Sequence, residues 1–139
     1  MIRTQSRIET PMNVLFLIGR VIFSLYWLKS AYGQLISRRK GMIAYAGSKG
    51  VPLPSIAIFC TGILLLIGGL SMLTGFWPHV GLIALAIFLV GVTPKMHDFW
   101  KETDPSARMN SNINFWKNVT LFGAILMMAI IALPWPFSL

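Results

Sequence analysis

Acidic side chains are scarce. The 139-residue chain carries four Asp and Glu against twelve Lys and Arg, for a formal net charge of +8. Glu9 is one; the other three, Asp98, Glu102 and Asp104, crowd into a single polar stretch. No carboxylate falls within a long apolar run, which argues against a proton-coupled carrier, since such carriers place Asp or Glu inside their spans. Cysteine occurs once, so an intrachain disulfide and a CxxC redox pair are both excluded. Cys60 sits in an apolar run and reads as a buried, inert thiol. The two histidines, His79 and His97, are 18 positions apart along one apolar helix, hence roughly 27 Å apart, too far to be the axial ligands of one haem. There is no HExxH, no cysteine cluster and no paired carboxylate within a span, so no intrinsic metal site is expected. Dinucleotide and phosphate-loop glycine patterns are missing too, and no Ser or Cys has an evident His partner for nucleophilic catalysis. A cleavable leader is not expected, because Arg20 interrupts the first apolar run and no small-residue cleavage site follows.

Apolar residues are abundant. They make up 55% of the chain while charged residues supply 12%, about half the usual charged share. Such a chain is solvated by lipid. Its positive charges lie beside the apolar runs, where they attract anionic headgroups and set topology, so nucleic acid is not an expected partner. Residues 1–10 read as a short exposed polar tail, and Pro11 suits the first turn of a helix. A span requires about 20 mostly apolar residues. Four stretches qualify, at about 12–33, 54–74, 77–96 and 115–133, giving one domain: an all-α integral membrane protein folded as an antiparallel four-helix transmembrane bundle. Gly62, Gly69 and Ser71 with Gly75 permit close helix approach in lipid. Trp77 and Trp135 are expected at one membrane surface, Trp100 and Trp116 at the other. Eight Lys and Arg flank the two long loops and two, Arg3 and Arg7, lie near the termini, which places both loops in the cytoplasm.

The stretch Pro94–Asn118 concentrates ionisable and aromatic groups between two apolar runs. The loop-side helix ends bring Lys29, Lys95, His97, Asp98, Lys117 and Asn118 to a similar depth. A His beside carboxylates there suits proton transfer, so His97, Asp98 and Lys117 are candidates for a proton relay or a quinone-head contact. The competing explanation is a set of interfacial anchors and an Asp-led cap. Asp104-Pro105 and the run Asn110–Asn114 supply turn and cap chemistry that reverses the chain onto the fourth span. Arg20 is costly inside a span, at least about 2.5 kcal/mol, and is expected to face protein or water. Asn13, Arg20, Ser24, Trp27 and Ala31 follow helical steps and form one partly polar face. Arg20 and Trp27, with Trp100 and Asn118 from the polar stretch, are the candidates for holding a cofactor; a snorkelling Arg20 and lipid-facing aromatics are the plainer alternatives.

The order and spacing of several short pieces carry a resemblance. They are Gly19-Arg20, then Lys29-Ser30-Ala31-Tyr32-Gly33, then Ala44-Tyr45-Ala46-Gly47-Ser48-Lys49-Gly50-Val51-Pro52-Leu53-Pro54, then His97-Asp98-Phe99-Trp100 with Asp104, and last Phe115-Trp116-Lys117-Asn118. Over nearly its whole length the chain resembles the DoxX family of small four-span bacterial and archaeal membrane proteins. The resemblance implies a multi-pass protein of the cytoplasmic (inner) membrane, associated with redox work. Namesakes of the family are linked to a terminal quinol oxidase and to thiosulfate:quinone oxidoreduction, and relatives to superoxide detoxification and thiol stress. Three roles compete. The first is a small hydrophobic subunit of a redox or quinone-linked complex, with other membrane subunits as partners, no intrinsic cofactor and quinone as the bound group. The second is a structural subunit that holds lipid or pigment. The third is a small stand-alone transporter. No motif marks an independent enzyme; at most the chain is an accessory subunit of an oxidoreductase.

Overall fold

The computed structural model describes the backbone from Ile2 and the side chains from Pro11 to Leu139. Five α-helices follow in order: α1 (Ile2–Tyr32), α2 (Arg39–Ser48), α3 (Pro54–Thr74), α4 (Pro78–Met96) and α5 (Pro105–Ala129). A π-helical turn, Gly33–Ser37, links α1 to α2, and a 3₁₀ turn, Phe99–Lys101, lies between α4 and α5. No strand occurs among the described residues. Three stretches are long and apolar enough to cross a membrane: Pro11–Ser37, Pro54–Thr74 and Pro78–Lys101.

The helix starts have local causes. Pro54 and Pro78 occupy the first turns of α3 and α4, where a missing N–H costs nothing. Asp104 caps α5 by accepting a hydrogen bond from Ala107 N–H at 2.8 Å. The turn Gly75–Trp77 returns α4 against α3, with Ser71 Oγ donating to the backbone of that turn at Phe76 and Trp77. α3 is the central element, packed against α1 on one side and α4 on the other, and α4 in turn packs on α5. Its glycines allow this. A Cβ on Gly69 would meet the side chain of Leu28 from α1 at 2.7 Å, and one on Gly68 would strike Leu85 from α4.

Trp27, Leu65, Met72, Leu85 and Leu89 are completely buried at the centre. Large apolar side chains on the outer faces, such as Ile22 and Leu25 of α1, Ile56 and Phe59 of α3, Ile83 and Ile87 of α4, and Leu126 of α5, are exposed. A helix group whose outside is apolar is matched to lipid.

Several sequence expectations are corrected. Pro11 lies inside α1, because the helix already runs from Ile2; the exposure expected of residues 1–10 lies outside the described side chains. The first loop is mostly helical, since the π turn and α2 cover much of residues 34–53. The fourth apolar run does not coincide with a helix over 115–133: α5 begins at Pro105, ends at Ala129, and leaves residues 130–133 outside it. The polar run Asn110–Asn114 is mid-helix, where Asn114 Nδ2 donates back to Asn110 O at 2.9 Å and so spends its turn-forming capacity along the helix. Cys60 is exposed on the outer face of α3, and Trp135 is buried at 2% exposure, edge-to-face with Phe16 at 5.4 Å, so it is a core residue and no part of an aromatic belt.

Candidate functional site

The helical steps along α1 put Arg20, Ser24, Trp27 and Ala31 on one face, and all four are buried. They serve two different ends of the molecule. Arg20 is pinned to the segment after α5: Nη1 donates to Pro136 O and Nη2 to Phe137 O, each at 2.9 Å. Ser24 Oγ donates to Arg20 O at 2.6 Å. Arg20 thus has a structural set of acceptors away from the polar stretch.

Trp27 lies at the opposite, loop-side half. Phe23, Tyr26 and Phe88 meet its ring edge-to-face at 5.7, 5.0 and 6.2 Å. Its ring is 1% exposed, and its indole N–H has no hydrogen-bond partner. A buried donor without an acceptor costs about 1–3 kcal/mol. Trp27 lines a cavity of about 300 Å³ flanked by α1 and α5, which stand at opposite ends of the packing order α1, α3, α4, α5. His97, Asn114, Lys117 and Asn118 close its other side, and Arg38 and Ser30 also line it. No carboxylate is among the lining residues.

Each of these groups is positioned by its element. Asn118 is buried and donates to Thr93 Oγ1 of α4 at 3.1 Å. Lys117 Nζ donates to Asn114 Oδ1 at 2.9 Å and stands 5.9 Å from the ring centre of Tyr26, reaching from α5 to α1. The π turn is held to α3 by Gln34, whose Nε2 donates to Ile58 O at 3.1 Å and to Thr61 Oγ1. Gly33 leaves room for the Arg38 guanidinium, which a Cβ there would meet at 2.6 Å.

The absence of carboxylates from the cleft has a cause. Lys49, at the end of α2, takes both: Nζ bonds Asp98 Oδ1 at 2.6 Å and also Glu102 Oε1. These hydrogen bonds, Asp98 first and Glu102 second, hold the Lys49 ammonium well above the ordinary lysine range. Tyr45 Oη adds a bond to Met96 O at 3.0 Å, so α2 is fastened to the end of α4 at two points. Beneath this tie lies a polar chamber of about 610 Å³ lined by Ser48, Lys49, Glu102, Asn110 and Ser111. It shares Tyr45, His97 and Asn114 with the cleft, so His97 stands between the two spaces.

Of the residues singled out from sequence, the fold brings Trp27, His97, Lys117 and Asn118 together around the cleft. Asp98 lies next to His97 but is engaged by Lys49. Trp100 is exposed in an aromatic cluster with Phe99 and Phe115, at 5.2 and 5.8 Å. Sequence reasoning passed over Lys49, Gln34 and Tyr45. Only the isolation of Lys49 between the glycines of a loop, with both candidate partners far along the chain, could have hinted at its role.

An all-helical chain with lipid-matched outer faces and three helices of spanning length and apolarity is a multi-pass integral membrane protein. It belongs to the DoxX family, whose model matches residues 15–98. It is similar to the inner membrane protein YphA of Escherichia coli (strain K12), 27% identical over 117 residues that cover 84% of this chain and 82% of that one. No solved structure matches it.

Proposed function

We propose that the chain is a small hydrophobic subunit of a quinone-linked membrane complex, with the quinone head in the cleft between α1 and α5. The carrying observation is the buried indole N–H of Trp27, which has no acceptor and lines a cavity with Lys117, His97 and Asn118 but with no carboxylate. Quinone carbonyls are acceptors only, so a donor-bearing wall without carboxylates suits them. Tyr26, Trp27 and Phe88 supply flat apolar surfaces for the ring. His97, between cleft and polar chamber, is placed to pass a proton to or from a bound head.

The test is titration of the detergent-purified protein with a decyl benzoquinone, followed by tryptophan fluorescence. Trp27→Phe keeps the ring surface, loses the donor and should bind about tenfold more weakly, the size of one well-made hydrogen bond. Parent protein that binds no quinone, or a variant that binds equally well, sinks this reading and leaves a structural, lipid-holding subunit as the better one.

The same reading places the chain in the inner membrane of a bacterium, with α5 as a fourth crossing and both polar connections on the cytoplasmic side. α5 has 25 residues, about 37 Å of helix, and carries apolar side chains along its second half. In a Cys60→Ser background, cysteines at the exposed positions Ser48 and Ser106 should resist an impermeant maleimide in intact cells and react after permeabilisation. Prompt labelling of both in intact cells means the opposite orientation, and labelling of one alone means that α3 and α4 do not both cross; a cysteine at exposed Leu139, beyond α5, should be labelled in intact cells, and its protection there removes the fourth crossing.

A further inference from the structure

A second cavity of about 310 Å³ lies under α2, between α3 and α4. Its walls are apolar: Ala46 of α2, Ala57 and Leu64 of α3, and Ile87 and Gly91 of α4 are among them, the last two at its mouth on the outer face. The polar side chains that reach it are Gln34 and Thr61, which are bonded to each other and to α3 backbone, and Lys95. This space therefore offers little to a polar head and much to a hydrocarbon.

It shares a wall with the cleft. Gln34, Met42, Phe88, Val92 and Met96 line both. Two of these five are methionines, whose unbranched side chains rearrange at low cost. Each cavity alone is at the small end of the roughly 300–1,000 Å³ typical of ligand sites. With Met42 and Met96 swung aside, the two would make one site with a polar-lined head end and an apolar far end.

We propose that this second cavity receives the hydrocarbon tail of the ligand whose head lies at Trp27, so that the protein holds a single-tailed amphiphile along its length and does not leave the tail in the bilayer. This rests on the head-site reading above. The ligand class is a neutral, acceptor-headed lipophile with one flexible chain, of which a prenylated or alkylated quinone is the chemical type.

Gly91 provides the test. It lines the tail cavity but not the cleft, it is exposed, and a Cβ added there meets nothing within 4 Å, so a larger side chain stands at the mouth of the cavity without striking the fold. Gly123, likewise open and in neither cavity, is the control position. Binding of a decyl benzoquinone and of the same ring without a tail is compared in parent, Gly91→Leu and Gly123→Leu proteins. Gly91→Leu should weaken the tailed ligand about tenfold, the scale of an overpacking penalty, and leave the tail-less ring unchanged. Gly123→Leu should change neither. In parent protein, a quinone with a photoreactive diazirine at its tail end should cross-link to the α3 peptide containing Ala57 and Leu64. If Gly91→Leu binds both ligands as the parent does and the diazirine labels only lipid and detergent, the tail lies in the bilayer and this inference falls, while the Trp27→Phe result decides the head site separately. If the parent binds neither ligand, both fall together.

Discussion

Replacing Lys49 with Met should cost about 2–4 kcal/mol and loosen α2 from the rest of the molecule. The side chains of Lys49 and Asp98 are only 13% and 11% exposed, and Glu102 shares the same ammonium. Removing one partner of a buried ion pair costs about 3–5 kcal/mol because the remaining charge is stranded, and partial exposure at this edge lowers that figure. Here two carboxylates would be left facing each other, with Lys101 at 3.7 Å from Asp98 and mostly solvated. Hydrogen exchange should rise across residues 39–53 and stay low in α3. Lys49→Arg should recover most of the loss. The pH dependence has a defined sign. Because the folded state raises the Lys49 pKa, the stabilisation is complete below the unfolded lysine value of about 10.4 and disappears only as pH climbs through the higher folded value. The melting difference between parent and Lys49→Met should therefore be flat from neutral pH to about pH 10. A difference that shrinks steadily across that range would show that the tie is not made by a charged Lys49.

Arg20→Leu should be the other large loss. Two charge-assisted hydrogen bonds, each worth about 1.5–3 kcal/mol, end on the carbonyls of Pro136 and Phe137. The variant leaves those carbonyls without donors in a packed region that includes Trp135 and Gly75. The melting temperature in detergent should fall by at least about 5 °C, and trypsin-free proteolysis should cut near Phe137 sooner than in the parent. An unchanged melting curve would mean that Arg20 is dispensable to the fold and that its burial has another purpose.

How far these features were legible in the sequence depends on whether their cause is local. α3 and α4 were readable because uninterrupted apolar runs begin at Pro54 and Pro78, and a proline at the first helical turn is a local signal. The buried face of α1 was readable from spacing alone, since Arg20, Ser24, Trp27 and Ala31 share a side of any regular helix. α2 was not, because Gly47, Gly50 and Pro52 argue against one long helix in this segment, while in the fold Ala46 packs against Ile58 and Met96 and holds the helix in place. The start of α5 was missed for a related reason. Asparagines favour turns when their side chains compete for the backbone, but Asn114 here bonds within the helix and Asn118 bonds Thr93 across to α4. Lys49 with Asp98 and Glu102 joins positions about fifty apart, and no local pattern encodes such a pairing. For the cleft, the residue types were visible, but the decisive fact was that α1 and α5 leave a gap.

The Arg20 contacts bear on how the protein is made. Its acceptors lie 116 and 117 residues further along the chain. At a synthesis rate of about 5–20 residues per second, those carbonyls do not exist until roughly 6–23 s after Arg20 has been added. Throughout that interval α1 is a membrane helix with an unanswered guanidinium near its middle, and it must be kept at a wet surface or in contact with the insertion machinery. A segment synthesised more than a hundred residues later is the one that releases the first helix to its final depth.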